Sequence, residues 1–207
     1  YFLGSVALYP YSPEELLVMG RQEWARSVLF EELERNRNAG LPELPIADTL
    51  DAVVRRLEAD ELKVRAFLRD QNLLTVPDWA GHYTAQPFPA YLAPIGWLGR
   101  TFDLTSRVRV GQNATVYLPE PSPKLGYFNL SIMRDPRPII VHEGVPGHFF
   151  QLTLGWKHPN PLRRHYYDSG ANEGTGFYAE EMMLQAGFWA DAPKTRVAPG
   201  RGANKGT

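Results

Sequence analysis

Two stretches near the start of the chain carry apolar residues at helical spacing. Ser12, Pro13 and Glu15 form a helix-start signal with a capping box, and this first helix is predicted to end near Arg37. A second amphipathic helix is predicted from Thr49 to about Gln71. Both are expected to be core scaffold, with inward positions at Leu16, Leu17, Trp24, Val28, Leu29 and Leu33 in the first and at Leu50, Val53, Val54, Leu57, Val64, Phe67 and Leu68 in the second.

The pattern changes between residues 73 and 138, where glycine and proline separate short β-prone pieces. The best strand candidates are residues 107–110 (RVRV), 114–119 (ATVYLP) and 126–132 (GYFNLSI). A third helix is predicted after Pro138, and a fourth from Asn172 to about Gly187. This order of elements predicts a mainly α fold with a small β element.

The end of the chain is predicted to be disordered. Residues 191–207 have almost nothing apolar to bury, so a single domain is expected to cover residues 1–190. The final GRGANKGT has the glycines of a phosphate-binding loop, but Lys205 and Gly206 stand in the reverse of the order that such a loop needs. Nucleotide binding is therefore not expected.

Composition removes several classes of function. The chain of 207 residues has no cysteine, which excludes disulfides and thiolate metal sites. Its formal net charge is -1, with the basic residues dispersed, so neither a nucleic acid nor an anionic membrane is expected as a partner. No apolar run reaches transmembrane length.

The first residues indicate that the chain begins within a domain. Tyr1 stands where an initiator methionine would be, and no signal peptide follows it. A soluble protein of the cytoplasm or an exported one would both fit this sequence, and the oligomeric state stays open.

The most informative stretch is VHEGVPGHFFQ, residues 141–151. Two histidines that share a zinc ion from one regular helix stand four residues apart, about 40° around the axis. Here His142 and His148 are six apart, which is about 120° on a regular helix. Pro146 and Gly147 between them favour an irregular helix, in which an extra-residue bulge returns His148 to the face of His142.

A second reading of this stretch is a plain helix end followed by a turn, since Pro-Gly normally ends a helix. Two features favour the metal site. Apolar residues flank the polar stretch directly on both sides, as PRPIIV and FFQLTLGW. Glu173 then follows on the next helix, where one class of zinc peptidases has its third ligand, with Glu180 and Glu181 as alternative carboxylates.

Together these segments resemble the bacterial family known as domain of unknown function 885. The family has a motif close to H-E-x-x-P-G-H-x-x-Q, which residues 142–151 match in full, and a later motif close to E-G-W-A-L-Y-A-E, which residues 173–180 match in part. The departures are Thr175, Gly176 and Phe177, which replace the common Trp, Ala and Leu at packing positions. The resemblance extends over roughly residues 1–190.

The resemblance implies a zinc metallopeptidase-like region of the Glu-ligand type. It implies one zinc ion on His142, His148 and Glu173, with Glu143 as the general base of peptide-bond hydrolysis. It also implies that the chain is a truncated fragment, since family members continue with a further helical section.

Supporting roles follow for other residues near the motifs. Tyr178 is the first candidate donor to the oxyanion, ahead of Tyr166 and Tyr167. Glu180 is expected to orient a ligand histidine by a hydrogen bond to the ring nitrogen that does not bind the metal. Asp168 is a candidate to orient a ligand histidine, Gln151 a candidate to fix backbone, and the peptide substrate is expected to pair with a strand at residues 127–132. Of the remaining histidines, His158 and His165 are expected to be surface residues, and His82 has no motif that supports a role in the site.

Two alternatives stay open. In the first alternative, the chain is a metal-binding fragment without catalytic competence. In the second, it is a helical interaction protein without metal. Zinc content after purification distinguishes the second from the others, and a peptidase assay distinguishes the first.

Overall fold

The computed structural model of the chain describes residues 1–98, 101–165 and 167–196. The described residues divide into two compact units, one of Tyr1–Glu43 with residues 192–196, and one of Leu44–Asp191. Both sequence motifs lie in the second unit. No helix within the described ranges is long and apolar enough to cross a membrane.

The first unit is built around one long helix, α1, Pro13–Arg37. A π-helix, Phe2–Val6, precedes it, and a 3-10 helix, Pro193–Arg196, belongs to the same unit. The predicted capping box is confirmed: the Ser12 N–H donates to Glu15 Oε2 at 2.8 Å, and the Glu15 N–H donates to Ser12 Oγ at 3.2 Å.

The apolar residues of α1 are not the inward face that the sequence predicts. Five of the six are exposed, namely Leu17, Trp24, Val28, Leu29 and Leu33, and the one buried residue of α1 is Glu34. At about 100° per residue these apolar positions spread over some 260° of the helix, so they form no single stripe.

The second unit begins with α2, Leu50–Asp70, and here the prediction is confirmed. Thr49 caps the helix by accepting the Ala52 N–H at 3.2 Å, and Gln71 ends it. The apolar positions occupy one stripe: Leu50, Val53, Leu57, Val64 and Leu68 are buried, and Val54 and Phe67 pack against the same core.

A small sheet packs beside α2. Its strands are β1, Tyr83–Pro87, β2, Thr101–Asp103, and β3, Ala114–Leu118, in the order β1-β3-β2. The central strand β3 is parallel to β1 and antiparallel to β2. A 3-10 helix, Ala90–Leu98, lies between β1 and β2 in the chain. The mainly α fold with a small β element is therefore confirmed, and β3 is the predicted strand at 114–119.

The two other strand predictions are wrong. Residues 107–110 form turns, in which the N–H of Arg109 donates to the Ser106 carbonyl and Gly111 has a φ of 88°. Residues 126–132 are mostly the helix α3, Tyr127–Arg134, because burial of Ile132 and Met133 on one helical side outweighs the β propensity of Tyr and Phe. The predicted pairing of a peptide with a strand at 127–132 is therefore withdrawn.

The second half of the unit is helical. It contains α4, Arg137–Ile139, a π-helix, Ile140–Gly144, α5, His148–Lys157, α6, Pro161–His165, and α7, Ser169–Gln185. Apolar residues of these elements join α2 and the sheet in one core, among them Ile140, Val141, Phe149, Ala179 and Met183. The motif segment is thus buried between α2, the sheet and α7.

The predicted tail falls mainly outside the described residues. Pro193–Arg196 form the 3-10 helix of the first unit, and residues 197–207 lie beyond the described range. Disorder of this tail stays a prediction.

Candidate metal centre

The helix that carries the first motif changes its hydrogen bonding at the motif itself. The π-helix Ile140–Gly144 widens the backbone around His142 and Glu143, and helical structure stops at Val145. The Val145–Pro146 peptide is cis, and α5 begins at His148 with Gly147 as its N-cap. The predicted interruption after Glu143 and the resumption near His148 are both present.

Gly147 makes this break possible because its backbone lies against the preceding turn. A Cβ atom at this position would lie 1.8 Å from the carbonyl oxygen of His142. The close approach brings the start of α5 back beside the π-helix. As a result the rings of His142 and His148 lie edge to face, with centroids 4.7 Å apart, despite the six-residue spacing.

The helix α7 adds a carboxylate to these two imidazoles. Asp168 caps α7 by accepting the Ala171 N–H at 3.0 Å, one turn before Glu173. The Oε2 atom of Glu173 lies 3.6 Å from Nε2 of His142 and 3.7 Å from Nε2 of His148. One oxygen therefore faces both ring nitrogens, beyond hydrogen-bond distance from each.

Glu143 lies on the same side of the motif. Potential ligand atoms of His142, Glu143 and His148 lie within 4.8 Å of one another, and Glu143 and His148 are buried. Glu173 is more open, with 54% of its side chain exposed. The four groups, called the pocket below, thus combine two buried side chains with one, Glu173, that is open to solvent.

The geometry suits a single small cation. Zinc bonds to imidazole nitrogen and carboxylate oxygen are about 2 Å long, so ligand atoms around one ion lie on the order of 3 to 4 Å apart. The distances from Glu173 to both histidines are in this range. The donor set of two imidazoles and one carboxylate, with no thiolate in the chain, is also one that zinc accepts. Metal binding by these residues stays a prediction.

Glu180 lies behind His142. Its Oε1 atom is 2.5 Å from Nδ1 of the imidazole, and its side chain is buried. This contact turns the other nitrogen, Nε2, toward Glu173. Such a carboxylate–histidine pair fixes the tautomer and the ring orientation of metal-binding histidines.

The pKa values of the two imidazoles are shifted in opposite directions. Burial lowers the pKa of His142, but the hydrogen bond and the charge of Glu180, followed by the charges of Glu143 and Glu173, raise it above its ordinary value. Burial also lowers the pKa of His148, and the charge of His142 lowers it further, against the opposing effect of Glu173. Of the two imidazoles in the metal-free chain, His142 therefore takes up the additional proton before His148 does.

The structure does not bring every predicted residue to this pocket. Tyr178 is 70% exposed and lies five residues after Glu173, about 140° around α7, and its role as oxyanion donor stays a prediction. Tyr167 is 63% exposed, and its hydroxyl accepts a hydrogen bond from Asn172. Tyr166 lies outside the described residues.

The remaining candidates have other contacts. Asp168 caps α7, and its role in orienting a histidine stays a prediction. His82 Nδ1 lies 2.9 Å from Glu61 Oε2, far along the chain from the motif. His158 Nδ1 accepts the Asn160 N–H at 3.0 Å, and His165 packs edge-on against Trp156.

Sequence reasoning missed the contact between Phe177 and His142. Phe177 lies edge-on to His142, with ring centroids 5.3 Å apart, and is 40% exposed. The signal was its position four residues after Glu173, which places both residues on one face of α7.

Comparison with known proteins supports the resemblance for the second half of the chain. A family model described as "Bacterial protein of unknown function (DUF885)" matches residues 128–198. This range includes both motifs, and it begins after the residues of α1, α2 and the sheet. No curated protein matches the chain, and no solved structure matches it.

Proposed function

We propose that this chain carries a zinc-dependent hydrolase site that cleaves peptide bonds, with Glu143 as the general base. The observation that supports it most is the approach of Glu173 Oε2 to Nε2 of both His142 and His148, at 3.6 and 3.7 Å. Three protein ligands with a fourth position open to water form the arrangement of catalytic rather than structural zinc sites.

Each residue has a stated part in this proposal. His142, His148 and Glu173 hold the ion, and Glu180 keeps Nε2 of His142 directed toward it. A zinc ion there would lower the pKa of a bound water toward neutrality and polarise the substrate carbonyl. The carboxylate of Glu143 accepts the proton of the attacking water and returns it to the leaving amine.

The burial of the pocket assists this chemistry. His148 and Glu143 are nearly inaccessible, at 5% and 7% exposure, so few waters compete for the proton. Glu173 lies at the open side, where a substrate enters. The peptide class of the substrate rests on the resemblance to Glu-ligand metallopeptidases.

Glu143→Gln tests the proposal directly. The amide has the same size but cannot accept a proton, so we expect unchanged zinc content and a loss of peptide cleavage by about 100-fold or more. Zinc is measured by elemental analysis of the purified chain, and cleavage by mass spectrometry of a peptide library. Cleavage by Glu143→Gln at the rate of the unsubstituted chain would exclude Glu143 as the base.

The same measurements distinguish the two alternatives. Stoichiometric zinc without cleavage, while a longer relative cleaves the library, supports a metal-binding chain that lacks catalytic groups. A purified chain without zinc, which also fails to bind added zinc, supports the interaction protein.

A further inference from the structure

One face of α7 lies against His142. Gly176, Phe177 and Glu180 follow Glu173 by three, four and seven residues, so all four line the same side of the helix. Glu180 contacts Nδ1 of the imidazole, Glu173 faces Nε2, and Phe177 lies against the ring edge. Gly176 is at the centre of this face.

The imidazole of His142 lies directly on Gly176. A Cβ atom on Gly176 would lie 2.7 Å from Cε1 of the ring, 2.8 Å from Nε2 and 3.0 Å from Nδ1. Ordinary contacts of a Cβ atom are 3.4–4 Å. Even the methyl group of alanine therefore requires the ring or the helix to move.

Such a movement separates groups that now meet. The ring contacts one carboxylate on each nitrogen, and both carboxylates belong to α7. If α7 moves outward, both carboxylates move away from the imidazole. If the ring tilts instead, Nδ1 leaves Glu180 or Nε2 turns away from Glu173.

The chain also contains a matched glycine without this contact. Gly174 lies in the same helix, two residues earlier, and a Cβ atom there would meet nothing within 4 Å. Glycine inside a helix is about 1 kcal/mol less favourable than alanine. Alanine at position 174 or 176 thus brings the same gain in helix propensity, and only position 176 adds a clash.

We propose that Gly176 is a positioning residue of the metal centre: its missing side chain lets α7 approach His142 closely enough for Glu180 and Glu173 to hold the imidazole between them. The inference concerns the site of the proposed function, and its effect on zinc rests on that function.

The test compares Gly176→Ala with Gly174→Ala in the full chain. Zinc dissociation constants are measured by competition with a chromogenic chelator, and folding by circular dichroism. We expect Gly176→Ala to weaken zinc binding by about tenfold or more. Loss of a residue that orients a metal ligand typically lowers metal affinity by this factor. Gly174→Ala should bind zinc as the unsubstituted chain does. Equal affinity of the two variants would overturn the inference.

A second measurement on the metal-free chain keeps the inference testable if no zinc binds. Imidazole ¹H–¹⁵N spectra report the hydrogen bond at Nδ1 of His142, and Glu180→Gln gives the reference for its loss. Gly176→Ala should move the His142 signals toward this reference, and Gly174→Ala should leave them in place. Unmoved signals in Gly176→Ala overturn the inference, whereas absent zinc binding in the unsubstituted chain rejects only the proposed function.

Discussion

His142 has a carboxylate at each ring nitrogen, and the two carboxylates act differently. Glu180 holds Nδ1 at 2.5 Å, while Glu173 stands 3.6 Å from Nε2. Together with Glu143 they raise the pKa of His142 above its ordinary value, against the lowering effect of burial. The proton that this stabilises must leave before a metal ion binds, because only the neutral imidazole is a ligand.

We therefore expect zinc binding to weaken as the pH falls through the raised pKa of His142. This loss should occur at a higher pH than at a site whose histidines have ordinary pKa values. Glu180→Gln removes a hydrogen bond and a charge that favour the protonated ring, so the pH at which binding is half lost should move lower. At high pH the same variant should bind zinc about tenfold more weakly, since the ring is no longer held. Zinc titrations at a series of pH values measure both effects.

Glu181→Gln is the matched control for this prediction. Glu181 is the next residue of α7 and accepts a hydrogen bond from Gln185, about 100° around the helix from Glu180. Its amide variant should leave the pH profile unchanged. A Glu180→Gln profile that coincides with that of Glu181→Gln would contradict the assigned contact.

At this scale, the sequence indicates some residues of the site better than others. The motif spacing identifies His142, Glu143 and His148, and the spacing of seven residues relates Glu180 to Glu173. Tyr178 is a candidate by its motif, and five residues along a helix turn its side chain about 140° from that of Glu173. The contact of Gly176 with His142 depends on how closely two elements pack, which no single-sequence pattern encodes.

At the scale of elements, α1 and α2 show what a hydrophobic pattern predicts. Both helices begin and end where the caps and breakers indicate. Only α2 has its apolar residues on one stripe, and only α2 buries them. Caps act locally and are readable from sequence, whereas burial needs an ordered face and a partner surface.

The strands were harder to predict than the helices for a related reason. Residues 126–132 are rich in Tyr, Phe and Ile, which favour strands, yet Ile132 and Met133 meet the core as a helix. β propensity depends on neighbours that lie far away in the chain, so short apolar stretches can adopt either state. The helix break was predictable because Pro146 and Gly147 act on the backbone directly.

The break itself gives a prediction about stability. Gly147→Ala places a Cβ atom 1.8 Å from the His142 carbonyl oxygen, so the π-helix and α5 cannot keep their present approach. We expect the free energy of unfolding to fall by more than about 1 kcal/mol. Gly155→Ala in α5 is the control: its Cβ would meet nothing within 4 Å, and it should stabilise the helix by about 0.5–1 kcal/mol. Urea denaturation of the metal-free chain measures both, and Gly147→Ala at the stability of the unsubstituted chain would refute the role of the close approach.

At the scale of the whole molecule, the candidate centre lies entirely within the unit Leu44–Asp191. Its groups come from two parts of that unit: the broken helix supplies both histidines and Glu143, and α7 supplies Glu173 and Glu180. Sequence reasoning recovers the mainly helical class and the two motif segments. It does not recover the division into two units, because the change in composition near Ala192 predicts a disordered tail and residues 1–190 are expected to be a single domain.

A metal ion held between these two parts should stabilise the folded chain, because the unfolded chain does not present the ligands together. Zinc at a free concentration of 100 times its dissociation constant should add about 2.7 kcal/mol to the free energy of unfolding. Differential scanning calorimetry with zinc and with a chelator measures this as a rise in Tm. The rise should disappear in His148→Ala and persist in His158→Ala, since His158 contacts Asn160 rather than the pocket. A zinc-dependent rise of equal size in both variants would show that zinc binds elsewhere in the chain and that the convergence of His148 with Glu173 is not a metal site.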